Sequence, residues 1–387
     1  MKDSRIAVLH VLSDGSFGGA LSHLTALFSS GDHRRFRYGV VLPRGSEAER
    51  RLAPLPVTVI ALDLQKRSFS VRDLCKLGQS ISAFAPDIVQ THGAFGARVA
   101  AFFAAPHAFL LLTKHCVFES SRSRCPLLAR ALSLAARPFT HLSVATAACA
   151  EKMLLREGMP ASSVLTVQNG APPKKRPDEK AMRMRRQALA LPLDCLTVGF
   201  CGRLEEEKNP RFLLSLARAL AAKGISFCVL VIGDGSQRAM LEEQSKRMGL
   251  GAHFRFVGYQ SDPTLDLSLC DVQINCSLLS ETSSLALSEG FALGIPALAS
   301  SLPGNREMIR QGENGLLYPK GDVRACASLL ARLSADRSLL ESLSRGAQRA
   351  YRQRFSSALM AKRYECLYRA LLRHSSKKDC FSKETML

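Results

Sequence analysis

Arg5-Ile6-Ala7-Val8-Leu9-His10-Val11-Leu12 is an apolar run interrupted by a single histidine, and it leads through a glycine loop into helical spacing from Leu21 to Phe28. A short apolar run bounded by turn residues and followed by a 3.6-residue period reads as a strand feeding a helix. Strand-like runs recur at Tyr38 to Leu42, Val57 to Leu62, Ile88 to His92, Phe109 to Thr113 and Ser143 to Thr146, with helical segments between several of them. This alternation predicts an α/β domain, a parallel sheet covered by helices.

The pattern pauses at Gly170 to Pro177, where Pro172, Pro173 and Pro177 surround Lys174-Lys175-Arg176. It resumes with strands near Thr197 to Cys201, Phe227 to Ile232, Phe254 to Val257, Val272 to Asn275 and Ala297 to Ala299. The expectation is two Rossmann-like, doubly wound domains, residues 1–178 and 187–355, facing across a cleft with ligand at the carboxyl ends of the strands. The amphipathic stretch Ala347 to Leu372 is expected to be helical, with a crossover helix over 356–374 and a flexible Lys- and Ser-containing tail over 375–387.

A length of 387 residues suffices for two domains that each bury a core. With 47% hydrophobic and 22% charged residues, the composition is that of a globular protein. The most apolar stretch, Val99 to Thr113, holds Pro106 and His107 and is too short to span a bilayer. Met1-Lys2-Asp3-Ser4-Arg5 leads straight into a strand without an apolar targeting segment, so a cytoplasmic location is expected. The 12 cysteines include no Cys-x-x-Cys pair and read as reduced, mostly buried thiols, and no structural metal is expected.

The net charge of +20 points to a polyanionic partner: nucleic acid, phosphorylated glycolipid or an anionic membrane. Basic residues cluster at Arg122, Arg124, Arg130 and Arg137, at Lys174 to Arg186, and at Arg345 to Arg363. The segment Val117 to Pro138 mixes arginines with Phe118, Leu127, Leu128, Leu132 and Leu134, which suits either an interfacial helix or a helix with one buried face.

Chemistry concentrates in Glu281-Thr282-Ser283-Ser284-Leu285-Ala286-Leu287-Ser288-Glu289, which is followed by Gly290 and by Gly294-Ile295-Pro296. If a helix opens at Ser283, Glu281 lies in the loop before it and Glu289 projects from its second turn. The unpaired N–H groups of Ser283, Ser284 and Leu285 then form an anion site suited to a ligand with hydroxyls flanking phosphates. Arg203 and Lys208, in Gly-Arg-Leu-x-x-x-Lys, can converge on a diphosphate, or else pair weakly with Glu205, Glu206 and Glu207. Gly18 and Gly19 allow positive φ and close backbone approach to a ligand, or simply a tight turn. His92 and His115 follow adjacent strands and should face the crevice, with Lys114 as a further phosphate contact. Gly233 to Gly235 and Val257-Gly258-Tyr259 end consecutive strands of the second domain, as turn glycines or as backbone contacts to a ligand.

Taken in order, Phe17-Gly18-Gly19-Ala20 with His23, Val167-Gln168-Asn169-Gly170, Phe200-Cys201-Gly202-Arg203-Leu204 with Lys208-Asn209, Val231-Ile232-Gly233-Asp234-Gly235, Phe256-Val257-Gly258, the two-glutamate stretch, Pro303-Gly304-Asn305-Arg306-Glu307 and Glu313-Asn314-Gly315-Leu316-Leu317 resemble the retaining glycosyltransferases of family 4, which have the GT-B fold. The resemblance extends over most of the chain. It implies transfer of a hexose from a nucleotide-sugar, UDP-sugar favoured, to a glycan, and the basic surfaces suit an anionic acceptor, a phosphorylated glycolipid such as lipopolysaccharide core or a lipid-linked saccharide. It also implies Arg203 and Lys208 on the diphosphate, Glu281 and His115 beside the donor sugar, and Glu289 on the ribose hydroxyls. Gly18, Gly19, Gly233, Val257, Gly258, Thr282, Ser283, Ser284 and Leu285 would line the donor, and His92 would lie nearer the acceptor. The family manages without metal or cofactor, and the basic surface would lie against the inner face of a membrane.

Departures stand at Leu21, where the family often has Glu, at Thr282-Ser283-Ser284 in place of Gly-aromatic-Gly, and at Gly290-Phe291 in place of Ala-Met. The first removes a polar role, and the second puts the donor's identity in doubt. The alternatives are a nucleotide-sugar epimerase of the same shape and a basic nucleic-acid-binding protein. The latter leaves the ordered motifs unexplained, and 6% aromatic residues with no Trp offer few stacking platforms, so no specific nucleic acid is expected.

Overall fold

The computed structural model describes residues 3–15, 18–63, 70–93, 95–115, 126–279 and 281–373. Phe17, the 375–387 tail, and Phe118, Arg122 and Arg124 of the Val117 to Pro138 segment lie outside these residues. The chain divides into two compact units, Met1–Pro172 with Ser357–Leu387, and Pro173–Ser356.

The first unit is built on seven parallel strands: β1 (Ile6–Leu12), β2 (Phe36–Pro43), β3 (Thr58–Leu62), β4 (Ile88–His92), β5 (Phe109–Lys114), β6 (Leu142–Ala145) and β7 (Val164–Thr166), in the order β3-β2-β1-β4-β5-β6-β7. β1 pairs on both sides, Val8 opposite Tyr38 and Ile88. Its alternate residues enter different cores: Val8 and Leu12 join one apolar cluster, Ala7, Leu9 and Val11 the other. Burial on both faces is why the run is apolar throughout rather than alternating.

The helix Ser357–Arg373 completes the first of those cores with Met360, Ala361, Tyr364, Leu367, Tyr368 and Leu371. Met360, Leu367 and Leu371 each contribute about 2 kcal/mol by burial. Polar contacts fix its register: Tyr368 Oη donates to Gln90 Oε1 (2.6 Å), and the Asp32 N–H donates to Glu365 Oε1 (2.6 Å). The Ala347 to Leu372 stretch is therefore not one helix. The helix Arg337–Ala350 runs into a wide turn at Tyr351–Phe355, and Ser356 is extended. The chain leaves the second unit here, and the Ser357 N–H donates to Ala171 O at 2.8 Å.

The second unit holds β8 (Leu196–Cys201), β9 (Phe227–Ile232), β10 (Phe254–Gly258), β11 (Val272–Asn275), β12 (Ala297–Ser300) and β13 (Gly315–Tyr318), parallel and in the order β10-β9-β8-β11-β12-β13. Strand order reverses between β1 and β4 in the first sheet and between β8 and β11 in the second. Loops leaving the two strands at such a reversal run apart, and the crevice they open at the strands' carboxyl ends is where doubly wound domains bind ligand.

Candidate active site

In the second unit the reversal is spanned by an ion pair. Lys208, in the loop after β8, places Nζ 2.8 Å from Glu281 Oε2, in the loop after β11. The Glu281 side chain is buried, and the same oxygen accepts from Asn275 Nδ2 (2.9 Å) and Ser277 Oγ (3.1 Å). Three donors on one oxygen fix the orientation of the carboxylate. Asn209 clamps the Lys208 loop, its Nδ2 donating to Cys276 O at 3.2 Å, and it does so from a left-handed conformation (φ 51°) that asparagine tolerates. Gly304 brings a third loop in: its N–H donates to Glu281 O (3.2 Å), and a Cβ there would meet that oxygen at 2.2 Å.

Arg203 is half-exposed and donates to Glu207 Oε1 at 2.5 Å. The two cations thus follow the same strand, but each is held by its own glutamate. Glu205 takes another role, accepting from the N–H and hydroxyl of Ser236.

The helix after Glu281 is Leu285–Ala292, capped by Ser284, whose Oγ accepts from the Leu287 N–H. The set of free N–H groups differs from the expected one, because the helix opens two residues later than expected and Ser284 N–H is directed at Met308 Sδ (3.2 Å). Thr282 and Ser284 are buried, and Ser283 is half-buried. Glu289 lies in the second helical turn, and its charge helps burial push the Cys201 thiol at the end of β8 upward.

Gly202, Gly233 and Gly258 end β8, β9 and β10 and lace together there. Gly233 N–H donates to Gly258 O (2.8 Å), Gly202 N–H donates to Ile232 O (3.0 Å), and a Cβ on Gly233 would stand 1.9 Å from Gly202 O. Gly233 (φ 144°) and Gly258 (φ 75°) are at positive φ, so glycine is required on both counts. Val257 packs against a buried core cluster, and Tyr259 is exposed.

In the first unit His92 and His115 do come together, and they bring two histidines that the sequence reading did not place in a site. His92 Nδ1 lies 2.8 Å from His115 Nε2, and His92 Nε2 lies 3.1 Å from His10 Nδ1. His23 packs its ring 5.0 Å from His115 and 5.7 Å from His92, and its Nδ1 is 2.8 Å from Asn169 Oδ1. Burial pushes His10 down to about 3 and His23 to about 4, and it lowers His92 and His115 well below the ordinary value, so all four are neutral near pH 7. A neutral imidazole has one N–H, so the three rings of the chain donate in one direction and share one tautomer. The signal in the sequence was the even spacing of His10 with Val8 and Leu12 on one strand face.

Neither Gly18 nor Gly19 takes positive φ. Gly18 is extended (φ −179°) before the helix Gly19–Ser30, and a Cβ at either position would meet nothing within 4 Å. The tight position is Gly15, where a Cβ would lie 2.3 Å from Ser46 Cβ. Leu21 is buried in the core, and Lys114 faces Glu157 at 3.7 Å. Cys195, Cys228, Cys270, Cys276 and Cys326 are buried free thiols. Among the described residues no helix is long and apolar enough to cross a membrane.

Residues 18–170 match the family model of the glycosyl transferase 4-like domain, and residues 183–350 match that of glycosyl transferases group 1. The chain is 30% identical over 169 residues to the putative glycosyltransferase EpsD of Bacillus subtilis, covering 44% of each protein. It is 29% identical over 160 residues to the lipopolysaccharide core biosynthesis glycosyltransferase LpsE of Rhizobium meliloti, 41% of this chain and 46% of that one. The matched region thus spans less than half the length of these curated relatives. The crystal structure of HepE of Anabaena in complex with UDP and glucose superposes with a TM-score of 0.80 over 96% of this chain and 100% of that one, at 20% identity. The two successive domain matches and the two reversed parallel sheets give the chain the domain pair of the GT-B glycosyltransferases.

Proposed function

We propose that the protein is a retaining glycosyltransferase that moves a hexose from a UDP-sugar to a phosphorylated glycolipid or lipid-linked saccharide. The observation that carries this reading is the Lys208–Glu281 pair at the strand reversal of the group 1 domain. Arg203 and Lys208 bind the donor diphosphate, aided by the start of the helix Leu285–Ala292, so no divalent ion is needed to neutralise it. When diphosphate arrives, Lys208 divides its charge between phosphate and Glu281, while Asn275 and Ser277 keep the carboxylate in place. Glu281 lies beside the sugar, Glu289 accepts from the ribose hydroxyls, and the loops at Gly233 and Gly258 receive the base. His115 contacts the sugar, and His92 lies on the acceptor side. Departure of the diphosphate and attack by the acceptor hydroxyl occur on one face of the sugar. The leaving phosphate oxygen takes the hydroxyl proton, and no covalent enzyme intermediate forms.

The names of relatives support this reading: HepE is described in complex with UDP-glucose, and LpsE is named for lipopolysaccharide core biosynthesis. A membrane-facing role is supported by Leu132, Leu134 and Phe103, exposed on the first unit near Arg130 and Arg137 in sequence or space, together with the net charge of +20. The test is incubation with UDP-[¹³C]glucose and a cell-envelope acceptor fraction, with the anomeric coupling of the product read by NMR. An α-linked product supports retention, a β-linked product contradicts it, and failure to consume any UDP-sugar contradicts the donor assignment.

A further inference from the structure

Among the described residues Arg98 is a buried cation with no acidic partner. It sits in the first turn of the helix Phe95–Ala104, directly after β4 and therefore beside the strand reversal of the first sheet. The residue is only 6% exposed, and its Nε and Nη1 are sealed from solvent with no hydrogen-bond partner among the described residues. Helical side chains lean toward the helix N-terminus. The guanidinium does so here, its carbon 5.4 Å from the ring centre of Phe95, the first residue of the helix. Phe95 and Phe102 both pack edge-on against Phe139, so the surroundings are aromatic and of low polarity. Burial pushes Arg98 down to about 10.

An unpaired buried charge is among the most costly features a fold can carry. The first-turn N–H groups of the same helix also lack intrahelical partners and add the positive end of its dipole. We propose that Arg98 and the N-terminus of this helix form an anion site in the first unit, which takes a phosphate or carboxylate group of the acceptor. This deepens the glycosyltransferase reading and rests on it only for the identity of the ligand as acceptor; the anion site itself stands on Arg98. A planar guanidinium forks onto two oxygens of such a group, which supplies orientation as well as charge.

The test compares thermal unfolding of the full chain with that of Arg98→Met and Arg34→Met, the second removing an exposed charge as a control for general basicity. Titrations use inorganic phosphate, vesicles containing phosphatidylglycerol, and UDP in parallel. The expected result is that phosphate about a hundredfold above its dissociation constant raises the unfolding midpoint by about 5–10 °C in the wild type and in Arg34→Met. In Arg98→Met that rise is lost, the midpoint without anion is equal or higher, and the UDP response is unchanged. Protection by vesicles but not by phosphate, again lost only in Arg98→Met, supports the site with a lipid headgroup as its source. The inference is overturned if neither anion protects, if protection persists in Arg98→Met, or if Arg98→Met lowers the midpoint without anion while leaving the phosphate response intact. Loss of the UDP response in all three proteins contradicts the donor assignment without touching the anion site.

Discussion

Lys208 Nζ and Glu281 Oε2 stand 2.8 Å apart and tie the loop after β8 to the loop after β11, across the reversal of strand order in the second sheet. Neither residue is interchangeable with its neutral analogue. Lys208→Met leaves a buried carboxylate with Asn275 and Ser277 as its remaining donors, and should cost about 1–3 kcal/mol in urea denaturation. Glu281→Gln keeps the volume and removes the charge. Each is expected to lower turnover of UDP-sugar by about a hundredfold or more, the scale of removing one charge-stabilising group. Turnover within threefold of wild type in both would contradict their roles.

Gly290 has a specific steric partner. A Cβ there would lie 2.1 Å from Gln273 Nε2, and that amide is fixed by donating to Leu287 O (3.0 Å) and Ile295 O (3.1 Å). Gly290→Ala should destabilise by about 1–3 kcal/mol through overpacking. In a Gln273→Ala background the added methyl meets a cavity instead, so the two changes should couple with opposite sign. Equal cost of Gly290→Ala in both backgrounds would show that the contact is not responsible.

This pair also shows where reading the sequence stops. Glycine at 290 is visible as a departure from the family pattern, but its cause lies 17 positions away on β11 and emerges only when strand and helix pack. Long, doubly buried strands such as β1, β4 and β9 were legible because burial on both faces leaves a continuous apolar run. The short edge strands β7 and β13, three and four residues long, carry too little pattern to stand out. Arg203, Lys208, Glu281 and Glu289 stand out in the sequence as motifs, and the structure pairs Lys208 with Glu281. The donors Asn275 and Ser277, and the partners His10 and His23, were not, since their roles depend on side chains meeting across strands and loops.

The four neutral histidines set an acid limit on stability. An unfolded histidine binds a proton below about pH 6.5, whereas folded His10 and His23 do so only near 3 and 4, and His92 and His115 are displaced in the same direction. The unfolded state therefore takes up more protons as pH falls, and stability decreases from about pH 6.5 downward, by about 1.4 kcal/mol per pH unit for each fully shifted histidine. Denaturant midpoints at pH 7, 6 and 5 measure this, and His10→Phe should remove one histidine's share of the slope. A stability that is flat over that range would contradict the neutral assignment.

Phe103 is 73% exposed, beside Phe102, which packs on Phe139. If this face meets lipid, Phe103→Ser should reduce sedimentation with anionic vesicles severalfold, with no effect on UDP binding, because an exposed aromatic contributes a few kcal/mol on entering an interface. Equal sedimentation of variant and wild type would remove this face from the membrane reading.

Isothermal titration of the protein with UDP, GDP and ADP, alongside Arg203→Ala and Glu289→Ala, tests the central claim most directly. The expected result is micromolar binding of UDP that is lost or weakened at least tenfold in both variants. Binding of none of the three nucleotides, or UDP binding unaffected by either substitution, would contradict the assignment of this crevice as a nucleotide-sugar site.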